Sequence, residues 1–140
     1  MTSDREAEGL AVRFMEMGYH AAVLRYSTVP DDVFPDAFIQ AAACMKMLRE
    51  RAEEWFIDPD RILIQGSSAG GHLAAMVSTY WHIPELANIL DTTSEMIRPN
   101  GQILSYPVIT AGTFRNEGSF KNLLGAQTEE SLEEACSLEL

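Results

Sequence analysis

The segment Gly66-Ser67-Ser68-Ala69-Gly70 holds a serine in G-x-S-x-G spacing. Arg61 to Gln65 before it, with Ile-Leu-Ile at its heart, reads as a short buried strand. Leu73, Ala74, Met76, Val77 and Tyr80 after it make a helix face. A serine on a sharp strand-to-helix turn has its hydroxyl lifted clear of the sheet, where it can attack a carbonyl carbon. The neighbours must be small, because the incoming strand and outgoing helix nearly touch. Gly66, Ala69 and Gly70 meet that demand, and Ser68, not Ser67, takes the nucleophile's place. The Ala69 amide, at the helix N-terminus, would face the oxyanion of a tetrahedral intermediate. The spacing alone is weak evidence, since roughly one random chain in twenty of this length would carry it; the strand–turn–helix context gives it weight. Two other readings of the segment compete. One is a Gly-rich turn in which Ser67 or Ser68 only caps a helix. The other is an anion-binding loop, which lacks the lysine that a phosphate loop places after its glycines.

The elements around this turn follow from periodicity. Ser3 to Met17 reads as a helix, with a Ser3/Glu6 capping box, an apolar face of Ala7, Leu10, Ala11 and Phe14, and Gly18 at its stop. Tyr19 to Tyr26 reads as a buried strand. A loop with Pro30 and Pro35 leads into a long helix, Phe34 to Trp55, whose apolar stripe runs Phe34, Phe38, Ala41, Met45, Leu48, Ala52, Trp55. Asp58-Pro59-Asp60 breaks it. Residues 82–100 read mostly as loop, with a short helix from Pro84 to Leu90. Gly101 to Val108 reads as a third strand, Phe120 to Leu124 as a helical turn, and Thr128 as the cap of a final acidic helix. Helix and strand alternate, which is the pattern of a parallel α/β sheet.

Composition narrows the function classes. The chain has 140 residues, 46% of them hydrophobic and 22% charged, which suits one globular domain over residues 1–140. Its net charge of −11, from 10 basic and 21 acidic residues, opposes a nucleic-acid partner and an anionic membrane surface. No apolar run approaches the ~20 residues that span a bilayer. The charged start is unlike a secretory signal, and Cys44 and Cys136 lack metal-ligand spacing. The expectation is a cytoplasmic chain with reduced thiols, no metal and no cofactor.

The run Ile-Gln-Gly-Ser-Ser-Ala-Gly-Gly-His-Leu-Ala-Ala resembles the nucleophile-elbow segment of the α/β-hydrolase esterase/lipase family. The nearest branch is the small carboxylesterases with acetyl-xylan-esterase-like and feruloyl-esterase-like members. Gly18 to Ser27 resembles that branch's fourth strand, Ile57 to Ile62 the lead-in to the fifth, and Leu104 to Val108 the sixth. The resemblance implies a Rossmann-like three-layer sandwich of about three mainly parallel strands flanked by helices. It also implies hydrolysis of short-chain carboxylic esters through an acyl-enzyme on Ser68, with the Ala69 amide in the oxyanion hole and a small ester as substrate.

The family's acid, its histidine and the second half of its oxyanion hole have no counterpart in this sequence. His72 shares the helix of Ser68 but is not the family's base, so a packed or surface role is expected. His20 reads as a strand residue, and His82 follows Ser68 with no acid between them. The family's third strand, which pairs with the fourth and fifth, also lacks a counterpart. The expectation is therefore a piece of a longer esterase, inactive alone. The alternative is a non-catalytic, degenerate module that associates with itself through unpaired strand edges, where apolar strands pair readily.

Overall fold

A two-stranded parallel ladder carries the elbow segment, pairing β1 (Leu63–Ser67) with β2 (Gly101–Ser105) from Leu63↔Gly101 to Ser67↔Ser105. The computed structural model describes residues 7–28, 31–125 and 134–138. Around the ladder lie α1 (Glu8–Glu16), α2 (Asp36–Glu50), α3 (Ala69–Tyr80), α4 (Pro84–Ile89), α5 (Ser94–Ile97) and α6 (Glu117–Leu124). The α/β class read from the alternation holds. The expected cap residues Ser3, Glu6 and Thr128 lie outside the described residues.

Asn100 fixes the register of the ladder. Its amide donates to the Ile62 carbonyl at 2.8 Å, and its side-chain Oδ1 accepts from the Ile62 amide at 3.0 Å. Arg49, from α2, donates to the same Oδ1 at 2.9 Å and to the carbonyls of Met96 and Arg98. One guanidinium thus ties the long helix to the end of α5 and to the start of both strands. Lys46, one turn earlier, donates to the Leu90 carbonyl just past α4, where a cation also suits the helix dipole.

The core lies between α2, α3 and the short helices. Phe38, Ala41, Ala42 and Met45 of α2 meet Leu73, Met76 and Val77 of α3, and Leu86, Ile97, Phe120, Leu124 and Cys136 close the cluster. It combines small side chains with long ones, as close packing requires. Cys44 and Cys136 are both free, and burial pushes the Cys136 thiol up to about 11.

Several expected elements differ. Tyr19 to Tyr26 is not a buried strand: it forms no ladder among the described residues, and Tyr19, Val23 and Leu24 are exposed. A strand is stabilised by a neighbour about 4.8 Å away, and among the described residues neither this segment nor the outer edge of β1 has a strand paired to it. Among the described residues two strands are therefore present where three were expected. The segment is held instead by side chains: Arg25 bonds Glu8 at 2.8 Å, and Ser27 exchanges two bonds with Gln40 of α2. α1 buries no residue, so its apolar face has no core beneath it; it stops, as expected, at Gly18, with φ +88°.

The long helix ends at Glu50, and Trp55 lies in the turns beyond it, under the Arg51 guanidinium. α5 falls where loop was expected, because four residues make one turn and leave no periodic signal. Phe120 and Leu124 belong to a full helix of eight residues, begun by Asn116, whose Oδ1 accepts the Ser119 amide.

Candidate active site

β1 runs two residues further than its apolar pattern suggests, so the turn between strand and helix is a single residue. Ser67 is still in the ladder, Ala69 already opens α3, and Ser68 alone makes the reversal at φ +53°, ψ −117°. This left-handed region disfavours any residue with a Cβ and costs of order 1–3 kcal/mol. Such strain persists only where the surroundings over-determine it, and here they do. The Ser68 amide donates to the Ser105 carbonyl at 3.0 Å, and its carbonyl accepts from the amides of His72 at 3.0 Å and Val108 at 3.3 Å.

The crowding explains the glycine before the serine. A Cβ at Gly66 would overlap the Gly70 carbonyl and lie 2.7 Å from the Gly71 nitrogen. Gly70 has more room, since a Cβ there would meet only the Tyr26 hydroxyl, at 3.8 Å. The tighter position is Gly71, outside the five-residue spacing, whose Cβ would lie 3.0 Å from the Pro107 side chain. The doubled glycine is the signal in the sequence that could have marked it.

β2 ends beside the elbow. Tyr106 leaves the ladder at φ +37°, Pro107 follows, and the Val108 amide turns back to Ser68. The expected strand to Val108 therefore stops at Ser105, because a proline cannot donate to a ladder. Tyr26, read above as the end of a strand, brings its half-buried hydroxyl to the start of α3, and burial raises its pKa.

Of the three histidines, only His72 belongs to this cluster. It is 4% exposed, its Nδ1 lies 2.5 Å from the Val108 carbonyl oxygen, and its ring meets Phe120 edge-on. Its Nε2 is buried without a hydrogen-bond partner among the described residues. Burial lowers its pKa, against a smaller opposite pull from the bond to Val108. His20 and His82 are exposed. Among the described residues no group of three or more histidines, cysteines or carboxylates is arranged to hold a metal, and no helix is long and apolar enough to cross a membrane.

Ser68 thus stands at the C-terminal ends of two parallel strands and before the first turn of a twelve-residue helix. First-turn amides have no partner within their helix, and Ala69 is exposed. A hydroxyl beside free amides at the positive end of a helix is an arrangement suited to attack on a carbonyl whose oxygen gains negative charge.

Known proteins are similar to this chain in sequence and fold. The chain is 32% identical to the acetyl ester-xyloside bifunctional hydrolase of Caldicellulosiruptor lactoaceticus, with a TM-score of 0.83 over 97% of this chain and 50% of that one. The carboxylesterase Cest-2923 of Lactobacillus plantarum matches with a TM-score of 0.70 at 30% identity, over 89% of this chain and 47% of that one. Endo-1,4-beta-xylanase B of Butyrivibrio fibrisolvens is 35% identical over 94% of this chain, which spans 21% of that protein. The chain therefore covers about half or less of each. The BD-FAE family profile matches residues 2–136, and with these relatives it makes the chain a member of the BD-FAE family, carboxylic-ester hydrolases of the α/β-hydrolase fold.

Proposed function

We propose that Ser68 is the nucleophile of a serine carboxylic-ester hydrolase acting on short acyl esters, acetyl esters foremost. The observation that carries this reading is the single strained residue between β1 and α3, Ser68 at φ +53°. On this reading the Ser68 Oγ adds to the ester carbonyl, and the oxygen's charge is met by the Ala69 amide. The alcohol then leaves and water releases the acid from the acyl-enzyme. Gly66 lets the strand and helix meet at the closeness this requires, and Gly70 flanks the serine on the helix side. The choice of acetyl esters leans on two relatives, the acetyl ester-xyloside hydrolase and an acetylxylan esterase of Xylanibacter ruminicola that is 37% identical over 46% of this chain.

The mechanism also needs a base, an acid that orients it and a second oxyanion donor. His72 is turned to Val108 and is not that base. The 140-residue chain by itself is therefore expected to turn over esters poorly.

The test is labelling of the native polypeptide in its source cell with a fluorophosphonate, which reacts with activated serines, followed by peptide mass spectrometry. The expected adduct is on Ser68 and is absent from Ser68→Ala. Equal labelling of Ser68→Ala would overturn the assignment.

A second reading has its own observation. The exposed, unladdered segment around Val23 and Leu24 and the open edge of β1 are surfaces onto which another strand can add. On that reading the chain is a non-catalytic module that associates with itself.

A further inference from the structure

We propose that His72 is a positioning residue for Ser68, acting as a neutral imidazole with its proton on Nδ1 and holding the exit of β2 against the elbow. The inference rests on the reading of Ser68 as the reacting residue and names what keeps it in place.

The geometry is a closed circuit. The His72 amide donates to the Ser68 carbonyl at 3.0 Å, as expected one turn into a helix. The same carbonyl accepts the Val108 amide at 3.3 Å, and the Val108 carbonyl lies 2.5 Å from His72 Nδ1. Residues 68, 72 and 108 therefore hold one another through three bonds. Two are backbone bonds, and the third is the imidazole.

The bond from Val108 to Ser68 is the longest of those that restrain the elbow backbone, and its donor belongs to no helix or ladder. It is the restraint most in need of a second anchor. His72 anchors the other end of the same residue, so Val108 is gripped at both its amide and its carbonyl. Pro107, 3.0 Å from where a Gly71 Cβ would lie, sets how far the two segments can approach.

The proton's position follows from the acceptor. A carbonyl oxygen can only accept, so Nδ1 must carry hydrogen. Nε2 then keeps a bare lone pair, in agreement with its lack of a partner. It lies in a ring that lines a cleft of roughly 40 Å³ with Ala69, Val108, Ser119, Phe120 and Leu123. The opposite tautomer would set an Nδ1 lone pair against the Val108 oxygen.

The chain length of the substitute separates positioning from bulk. Asparagine places its amide nitrogen near the Nδ1 position, whereas glutamine reaches toward Nε2. His72→Asn is thus expected to restore the bond to Val108, and His72→Gln to lose it although it is the closer match in volume.

The experiment uses the 140-residue chain, with nitrogen NMR of the His72 ring and hydrogen exchange of individual amides. The expected ring signature is protonated Nδ1 and bare Nε2. The Val108 amide is expected to exchange about tenfold faster in His72→Gln and within about threefold of wild type in His72→Asn, with α2 core amides unchanged in both. A proton on Nε2 in the folded chain, or equal Val108 protection in both variants, overturns the proposal. Because ring signature and exchange need no ester chemistry, they test the positioning alone, whereas a native polypeptide that never labels on Ser68 counts against the esterase reading alone.

Discussion

Gly66 and the carbonyl of Gly70 stand so close that no side-chain carbon fits between them. This is the contact at which β1 and α3 pass each other, and it separates two glycines that look equivalent in the motif. Gly66→Ala must push the helix off the strand, with an expected loss above about 3 kcal/mol or failure to fold. Gly70→Ala meets only the Tyr26 hydroxyl at 3.8 Å and gains helix propensity, so its expected change lies within about 1 kcal/mol of zero. Urea denaturation of the two variants side by side measures the difference.

Ser68 holds a backbone conformation that glycine adopts freely. Ser68→Gly is expected to raise stability by about 1 kcal/mol, while Ser68→Ala keeps the strain and gains nothing comparable. Both lose the hydroxyl, so both lose phosphonate labelling on the reading proposed above. Thermal melts of the pair isolate the backbone contribution, and an alanine variant as stabilised as the glycine one would remove the strain argument.

The buried imidazole gives a pH dependence with a definite sign. Unfolded, His72 takes up a proton near pH 6.5; folded, burial lowers its pKa. Below 6.5 the unfolded state therefore binds more protons. The contribution of His72 is complete above about pH 6.5 and declines as pH falls through the lowered folded value, by at most ~1.4 kcal/mol per pH unit. The stability difference between wild type and His72→Asn should be flat above pH 6.5 and shift against wild type below it, as read from denaturant midpoints at each pH.

Asn100 gives the Ile62 amide its acceptor, and Ile62 is 6% exposed. Asn100→Ala leaves that amide unpaired and frees one hand of Arg49, for an expected loss of about 2 kcal/mol. Asn100→Asp keeps an acceptor and adds charge beside the guanidinium, so it is expected to stay within about 1 kcal/mol of wild type. Urea midpoints distinguish them.

Exposed Val23 and Leu24 offer a direct check of self-association. If the extended segment pairs with a second copy, sedimentation at tens of micromolar shows a dimer, and Val23→Lys with Leu24→Lys returns it to monomer. A wild-type chain that stays monomeric at that concentration rejects the pairing.

Much of the architecture could be read from periodicity, and the reasons for the exceptions are local. The α2 stripe was legible because Phe38, Ala41 and Met45 recur at helical spacing and are buried in the core. Ser68 could be picked over Ser67 from spacing alone, but its conformation could not, since φ +53° is imposed by bonds from Ser105, His72 and Val108. Tyr19 to Tyr26 misled because Ala-Ala-Val-Leu looks buried in any sequence, whereas burial needs a neighbour. Val108 and Tyr26 escaped notice because their parts at the elbow are played by a backbone amide and by a hydroxyl 44 residues from Gly70, and neither leaves a local pattern.

The double grip of Asn100 on Ile62 also bears on the order in which the chain assembles. The pairing joins positions 38 residues apart, and closing such a loop costs roughly 3 kcal/mol of chain entropy beyond a constant before any ladder bond forms. Asn100 rewards that closure at once with two hydrogen bonds at the N-terminal ends of the strands. Zipping is then expected to run from Leu63↔Gly101 toward Ser67↔Ser105. The strained reversal at Ser68 locks last, so the junction of strand and helix would be the first part of the elbow to loosen when the protein begins to unfold.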